Sequence, residues 1–268
     1  MNPSTENGFI SLGNVAIHFE AAGAGEPLIL LHGLGLNMHV WDDQFAVFAK
    51  QFRVIRYDLR GFGRSLPATA TPFSHAEDLN NLLDQLRIDR AHLLGLSLGG
   101  RIATDFALQY PRRVARLVLA DTALGGYRFS EDWYARLNAV LQCGKTGDVA
   151  AAKALWLAHP LFDAVKAQPA IGGRFSAIAN SDAGWHWLHQ GLEQGISPAA
   201  AKRLQDIAAR TLIVVGEHDL ADFHAIAKLL ENSIPQAEKQ VISDAGHIVN
   251  MEVPAAFNAI VLDFLTAP

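Results

Sequence analysis

A serine flanked by glycines at the end of an apolar run is the first feature of this sequence that could carry out chemistry. The stretch AHLLGLSLGG contains Ser97, with Gly95 two residues before it and Gly99 two residues after it. This spacing matches G-x-S-x-G, in which a tight strand-to-helix turn exposes a nucleophilic serine. The competing interpretation is a glycine-rich turn whose serine only caps the following helix.

A nucleophilic serine needs a base, and the base needs an acid that orients it. Of the eleven histidines, His247 follows a strand-like run and a glycine near the end of the sequence. Asp219 follows another strand-like run, RTLIVVG. Because reactive groups gather at the carboxyl ends of parallel strands, both should reach Ser97. Asp121, at the end of the strand after the Ser97 helix, is the competing acid, or else the cap of a turn.

Acyl transfer also requires donors for the negative charge that develops on the carbonyl oxygen. The apolar run PLILL leads into HGLG, where Gly33 and Gly35 let the backbone approach a substrate closely. We expect the backbone N–H groups of Leu34 and Leu98 to form this oxyanion hole. His32 is expected to order the loop through a hydrogen bond rather than to act in catalysis.

The elements that must position these residues alternate between strand and helix patterns. Short apolar or alternating runs predict strands at 14–21, 27–33, 52–58, 91–96, 114–121, 210–216 and 237–242. Helical spacing predicts helices at 41–50, 73–88, 98–109, 222–232 and 252–265. This alternation is typical of a mostly parallel sheet with helices on both faces.

The alternation stops over 123–206, which is rich in Ala, Trp, Gly and Gln and is typical of short helices. We therefore predict an α/β core formed by 1–122 and 207–268, with 123–206 inserted as a helical cap over one end of the sheet. Trp133 and Trp185 are among the aromatic residues of this cap. They are candidates for contacting a substrate, although such residues more often pack a cap onto its core.

Composition limits the remaining classes of function. Half of the 268 residues are hydrophobic, 18% are charged, and the formal net charge is −5, with no basic stripe for nucleic acid. No apolar run is long enough to cross a membrane, and the amino terminus lacks a signal-peptide pattern. The single cysteine, Cys143, can form no disulfide within the chain, so we expect a cytoplasmic protein. The sequence does not decide whether the protein forms a homo-oligomer.

Taken in order, the motifs HGLG, YDLRGFGRS, GLSLGG, GEHD and DAGH resemble the α/β-hydrolase fold superfamily. The resemblance covers nearly the whole chain except the cap, and it implies an eight-stranded, mostly parallel sheet. Within the superfamily the chain is similar to small carboxylesterases and 3-oxoadipate enol-lactonases. That resemblance implies Ser97 as nucleophile, Asp219 as acid and His247 as base, in the superfamily's chain order.

The same resemblance implies a serine hydrolase that forms an acyl-enzyme with small or medium esters or lactones, without metal or cofactor. An enol-lactone substrate carries a carboxylate, so a cationic side chain of the cap should point into the pocket. Arg136 and Arg174 are the candidates for that cation.

The sequence also leaves room for different functions. Hydrolases of carbon–carbon bonds and cofactor-free haloperoxidases keep a serine triad, although the former usually have a Gly-Pro-Gly oxyanion loop that HGLG lacks. Families with an aspartate nucleophile are disfavoured by Ser97. A dinucleotide site would need a third glycine where Met38 stands. A ligand receptor of the same fold and a metal site at His186 and His189 complete the range of functions to be weighed.

Overall fold

The computed structural model describes residues 5–268, which contain one eight-stranded sheet. Its strands are β1 Glu6–Leu12, β2 Val15–Ala22, β3 Pro27–Leu31, β4 Arg53–Tyr57, β5 Ala91–Leu96, β6 Val114–Ala120, β7 Arg210–Gly216 and β8 Ala237–Ile242. They lie in the order β1-β2-β4-β3-β5-β6-β7-β8. Only β2 runs against its neighbours, and β3 to β8 are parallel, which confirms the predicted mostly parallel sheet.

Eleven α-helices are present in residues 5–268. They are α1 Asp42–Phe48, α2 His75–Gln85, α3 Leu98–Gln109, α4 Glu131–Lys145, α5 Val149–Leu157, α6 Asp163–Ala167, α7 Pro169–Ser181, α8 Trp185–Leu188, α9 Ala221–Ser233, α10 Val249–Glu252 and α11 Pro254–Thr266. None of them is long and apolar enough to cross a membrane.

The sheet is buried on both faces because successive side chains of a strand point in opposite directions. Along β3, Leu28 and Leu30 belong to the apolar cluster that contains side chains of α1 and α11, whereas Ile29 and Leu31 belong to the cluster that contains side chains of α2, α3 and α9. Central strands buried in this way read as continuous apolar runs, which is why the sequence predicts them correctly.

Strand β1 is absent from the strands that the sequence predicts. It pairs with β2 at one edge of the sheet, and most of its side chains are exposed. A strand of this kind buries little apolar surface, so it leaves only a faint alternation in the sequence.

Residues 123–206, which we call the cap segment, contain helices α4 to α8. Aromatic side chains of the cap segment, including Trp156, Phe162, Phe175 and Trp187, join the same apolar cluster as Leu28 and Leu30 of the sheet. Trp156 also donates to the Leu34 carbonyl at 3.2 Å, and Trp156 and Phe162 line a small cavity with Ser97, so this part of the cap segment lies beside the carboxyl ends of β3 and β5.

Candidate active site

Ser97 occupies a strained turn between β5 and α3. Its φ of 53° and ψ of −111° lie in a region that residues other than glycine rarely adopt, at a cost of about 1–3 kcal/mol. The backbone on either side holds it there, because its N–H donates to the Ala120 carbonyl (3.0 Å) and its carbonyl accepts from Arg101 (3.1 Å) and Ala123 (3.2 Å). Its hydroxyl makes no capping hydrogen bond to α3, so the helix-cap interpretation is wrong.

The flanking glycines are required because backbone fills the space that a side chain would need. A Cβ on Gly99 would lie 2.5 Å from the Leu31 carbonyl carbon and 2.8 Å from the His32 carbonyl oxygen. A Cβ on Gly95 would lie 2.5 Å from the backbone nitrogen of Gly100. Contacts this close require the strand and the helix to separate, so the turn can form only with glycine at both positions.

Gly99→Ala is therefore expected to destabilise the protein by about 3 kcal/mol or more, since the overlap is with backbone that cannot rotate away. Gly173→Ala is the matched control: Gly173 lies in α7 with nothing within 4 Å of its Cβ position, and alanine there should stabilise by up to about 1 kcal/mol. Urea unfolding of both variants checks this. Equal midpoints would contradict the steric account of the turn.

His247 lies in the loop after β8 and is bound by Asp219. Its Nδ1 is 2.9 Å from Asp219 Oδ2, and both side chains are buried. Because a carboxylate oxygen can only accept, Nδ1 carries a proton, and in the neutral ring Nε2 then keeps its lone pair. Nε2 is buried and has no hydrogen-bond partner among residues 5–268. The imidazole therefore offers a free basic nitrogen on the side away from Asp219.

Glu252 in α10 holds the His247 loop in place. Its carboxylate accepts the N–H groups of Gly246 (2.7 Å) and Ile248 (3.0 Å), on either side of the histidine. Burial raises the pKa of Glu252, and the two N–H donors offset part of that rise. Sequence reasoning missed this residue, because no sequence pattern indicates which loop the side chain of a glutamate on a short helix will bind.

Asp121, the competing acid, is close to the pair but does not bind the imidazole directly. Its Oδ1 accepts the Gly216 N–H at 2.8 Å, and one oxygen each of Asp121 and Asp219 lies within 4.8 Å of a ring nitrogen of His247. Burial first, and then the charge of Asp219, raise the pKa of Asp121 well above its usual range. The surroundings of Asp121 therefore favour its protonated form, and Asp219 is the carboxylate that contacts the imidazole.

Leu34 and Leu98 present backbone N–H groups that form no hydrogen bond within the described chain. The loop bearing Leu34 is fixed by His32, whose Nε2 accepts the Leu59 N–H (3.0 Å) while Nδ1–H donates to the Gly33 carbonyl (2.8 Å). Burial lowers the pKa of His32 to about 4, so the ring is neutral and both nitrogens are used. This is the ordering role expected of His32.

Two cavities meet at the Leu34 loop. The smaller, of about 10 Å³, is lined by both Ser97 and His247 and is roofed by Trp156, Leu161 and Phe162. It has room for roughly one water molecule.

The larger, of about 350 Å³, contacts Leu34 and Leu98 and runs beneath the cap segment. A third cavity of about 490 Å³ lies at the amino ends of the strands beside Glu26 and Arg116, far from Ser97, so size alone does not mark the site.

The structure separates the residues predicted to contact a substrate. Trp185 lines the 350 Å³ cavity, whereas Trp133 packs against Phe129 and Trp156 and lines neither cavity beside Leu34. Arg136 and Arg174 also line neither cavity, because they form exposed ion pairs with Asp132 and Asp43, respectively. A long cationic side chain on an amphipathic helix reaches the nearest carboxylate in water, and the sequence does not show which carboxylate that is.

The two histidines considered for a metal site do not converge on one point. Nδ1–H of His189 donates to the Trp185 carbonyl at 2.9 Å, and its ring stacks on Trp185. His186 instead stacks on Phe62. Among residues 5–268, possible metal-ligating groups converge at Asp121, Asp219 and His247 and at the exposed Glu217, His218 and Asp244, and neither set includes His186 or His189.

Comparison with known proteins gives a family whose model, described as the alpha/beta hydrolase fold, matches residues 26–254. A putative 2-succinyl-6-hydroxy-2,4-cyclohexadiene-1-carboxylate synthase of Bacillus subtilis is 29% identical, with 94% of each chain covered. A 3-oxoadipate enol-lactonase of Acinetobacter baylyi is 29% identical, with 91% of each chain covered. The crystal structure of a carboxylesterase from Bacillus subtilis, YbfK, is 25% identical over 99% of this chain and 93% of that one, with a TM-score of 0.78.

These relatives carry names for different reactions, so the family alone does not set the bond that is attacked. The match covers most of the chain and includes the serine turn and the loops bearing the acid and the histidine. The chain belongs to the α/β-hydrolase fold family and is a hydrolase.

Proposed function

We propose that this protein is a serine hydrolase that cleaves small or medium carboxylic esters or lactones through a Ser97–His247–Asp219 triad. The observation that carries the proposal concerns His247, whose Nδ1 is bound by Asp219 and whose Nε2 has no partner among the described residues. His247 lines the same small cavity as Ser97. A buried basic nitrogen that shares a cavity with a serine hydroxyl is the arrangement that activates such a nucleophile.

In the first half of the reaction, Nε2 of His247 takes the hydroxyl proton as Ser97 Oγ attacks the carbonyl carbon. Asp219 keeps the imidazole in the tautomer required and stabilises the imidazolium charge. The N–H groups of Leu34 and Leu98 hold the carbonyl oxygen as it becomes negative. The C–O bond to the leaving alcohol then breaks, and His247 returns the proton to that oxygen.

In the second half, water replaces the alcohol. His247 removes a proton from the water, the resulting hydroxide attacks the acyl carbon, and the bond to Ser97 Oγ breaks with return of the proton. The product is a carboxylic acid, and Ser97 is regenerated. Every proton is accounted for by one histidine, so the proposal needs no metal or cofactor.

An ester is favoured over a lactone that carries a carboxylate. The two cap arginines expected to bind that carboxylate are paired on the surface with Asp132 and Asp43. A ligand receptor is disfavoured, because a strained serine and a free imidazole nitrogen are costly features that a receptor does not need. As part of the same proposal we assign the protein to the cytoplasm, with a small-molecule substrate as its partner.

Covalent trapping tests this proposal without assuming a substrate. A fluorophosphonate reacts with an activated serine whatever acyl group the enzyme prefers, so intact-mass analysis should show one adduct per chain, and peptide mapping should place it on Ser97. His247→Gln should slow labelling by several orders of magnitude, whereas His39→Gln, at an exposed histidine, should not. An adduct on another serine, or none, would overturn the proposal.

A further inference from the structure

A hydrogen bond from Trp156 joins the cap segment to the turn at residues 33–36, which we call the oxyanion turn because it carries the proposed donor Leu34. Nε1–H of Trp156, near the end of α5, donates to the Leu34 carbonyl at 3.2 Å. No other donor of residues 5–268 binds that carbonyl. The indole is buried and lines the same small cavity as Ser97. The reaction proposed above makes no use of this hydrogen bond.

The oxyanion turn has one peptide at its centre, which includes the Leu34 carbonyl. The Leu36 N–H donates to the Gly33 carbonyl at 3.3 Å, and Gly35 has a φ of 71°. Because Leu34 is not among the residues of positive φ, the turn is of type II, the form that favours glycine at its third position. Type I and type II turns differ in the orientation of the central peptide. The bond from Trp156 therefore holds this peptide in one of two orientations.

The indole of Trp156 also lies directly against Gly35. A Cβ on Gly35 would lie 2.8 Å from Nε1 and 2.9 Å from Cδ1 of the indole. We expected the small size of Gly35 to serve the approach of a substrate, but in the structure a side chain of the cap segment occupies that space. The cap segment thus packs on the central peptide and also binds its carbonyl, so this peptide cannot rotate without displacing the indole.

Two anchors fix the backbone on either side of the Leu34 Cα. On the core side, Nδ1–H of His32 and the N–H of Leu36 bind the Gly33 carbonyl, which belongs to the same peptide as the Leu34 N–H. On the cap side, Trp156 binds the carbonyl of the next peptide. The core and the cap segment together set the direction of the Leu34 N–H. An oxyanion donor is most effective when its direction is fixed before the charge develops.

Other aromatic side chains of the cap segment hold the indole in place. The ring centroids of His159, Phe162 and Trp187 lie 5.7, 5.4 and 5.8 Å from that of Trp156. These rings surround Trp156 from separate parts of the cap segment. The indole therefore keeps its position on the oxyanion turn only while the cap segment is packed against the core.

We infer that Trp156 is a positioning residue for the proposed reaction, whose indole N–H holds the oxyanion turn so that the Leu34 N–H points at the carbonyl oxygen of the substrate. The inference rests on the proposed serine hydrolase function. It makes the chemical step depend on the cap segment, because the turn is held on both sides only when the indole lies on it. Loss of such a residue should slow the step that builds negative charge far more than it weakens substrate binding.

Two replacements of Trp156 separate the hydrogen bond from the packing. Phenylalanine keeps a six-membered aromatic ring but has no N–H donor. Histidine is smaller, but its ring can overlay the pyrrole ring of the indole and place Nε2–H where Nε1–H was. Trp156→Phe should lower kcat for p-nitrophenyl acetate about tenfold, with KM changed less than about threefold, whereas Trp156→His should keep kcat within about threefold of the parent. Loss of packing alone would give the opposite order, since histidine leaves the larger void.

An inhibitor that forms a stable oxyanion gives a second measurement. Ser97 Oγ adds to the carbonyl carbon of 1,1,1-trifluorobutan-2-one, the hydroxyl proton passes to His247, and the former carbonyl oxygen becomes negative beside the Leu34 N–H. Ki for this ketone should rise in Trp156→Phe by the factor by which kcat/KM falls. Trp41→Phe is the matched control, because Trp41 is buried in the same apolar cluster and its Nε1 has no partner within the described chain. It should change neither value.

Urea unfolding shows whether each variant is folded under the assay conditions. If Trp156→Phe folds poorly, Trp156→Met repeats the comparison, because methionine also lacks a donor and adapts its shape to the space. The rate constant for labelling of Ser97 by a fluorophosphonate compares all variants without a known substrate, since the phosphoryl oxygen takes the place of the carbonyl oxygen.

The outcomes separate this inference from the proposed function. If Ser97 of the parent is labelled but Trp156→Phe reacts as fast as the parent, or Trp156→His reacts more slowly than Trp156→Phe, the positioning role is wrong and the serine hydrolase proposal stands. A rise in KM with kcat unchanged would also overturn the role, by showing that Trp156 only binds the substrate. If Ser97 is not labelled and no ester is hydrolysed, the proposed function itself fails.

Discussion

Ser97→Ala is expected to lower kcat/KM for p-nitrophenyl acetate by at least about 10⁴-fold, because it removes the hydroxyl oxygen that we propose attacks the carbonyl carbon. The proposed oxyanion donors and His247 remain, so a water-based residual rate should persist well above the uncatalysed reaction. p-Nitrophenolate needs no proton to leave, which makes this ester a sensitive probe of the attack step. Measuring release of p-nitrophenolate under the same conditions for parent and variant gives the ratio.

The fold should not change in this variant. Alanine keeps the Cβ, so the strain at a φ of 53° is the same, and the lost hydroxyl made no capping hydrogen bond. Ser130→Ala is a control with the reverse expectation, a loss of stability with little loss of activity. The Ser130 hydroxyl accepts the Trp133 N–H (3.3 Å) and donates to Asp222 (2.7 Å), so its loss should cost about 1 kcal/mol of stability and little activity. Activity that survives in Ser97→Ala would show that another residue is the nucleophile.

The sequence predicted best those features that short stretches of chain determine alone. Buried parallel strands are continuous apolar runs, and the glycines around Ser97 are needed because backbone lies within 2.5 Å of their absent side chains. The choice of Asp219 over Asp121 also came from local position, since Asp219 lies just after β7. These features supply the sheet and the residues that we propose as the triad.

What the sequence did not predict depends on contacts between distant segments. Glu252 supports the His247 loop, and no pattern marks it out from other glutamates of the chain. Arg136 and Arg174 were expected in the pocket but pair with carboxylates on the surface. Phe62 and His186 are far apart in the sequence, and their rings stack only because the cap segment packs over the core. Side-chain partners of this kind are set by tertiary packing, which periodicity does not report.

Asp219→Asn should reduce kcat/KM by about 10⁴-fold, nearly as much as loss of the nucleophile, although the change replaces a single oxygen. An amide at this position can donate to Nδ1, and the imidazole then places its proton on Nε2, where it blocks proton transfer from Ser97. Asp121→Asn is the matched control. Burial and the charge of Asp219 raise the pKa of Asp121 and so favour a neutral side chain there. An amide of the same shape can still accept the Gly216 N–H, and we expect less than a tenfold loss. Steady-state rates for both variants, measured beside the parent, give these ratios.

The residual activity of Asp219→Asn should come partly from Asp121. The charge of Asp219 is one cause of the raised pKa of Asp121, so removing it lowers that pKa and makes ionisation easier. An ionised Asp121 would be a carboxylate within 4.8 Å of His247, able to favour the correct tautomer. The residual rate should therefore rise with pH as Asp121 loses its proton, and it should be lost in the double variant with Asp121→Asn. A larger loss in Asp121→Asn than in Asp219→Asn would instead identify Asp121 as the acid, because only the carboxylate that orients His247 is needed in its charged form.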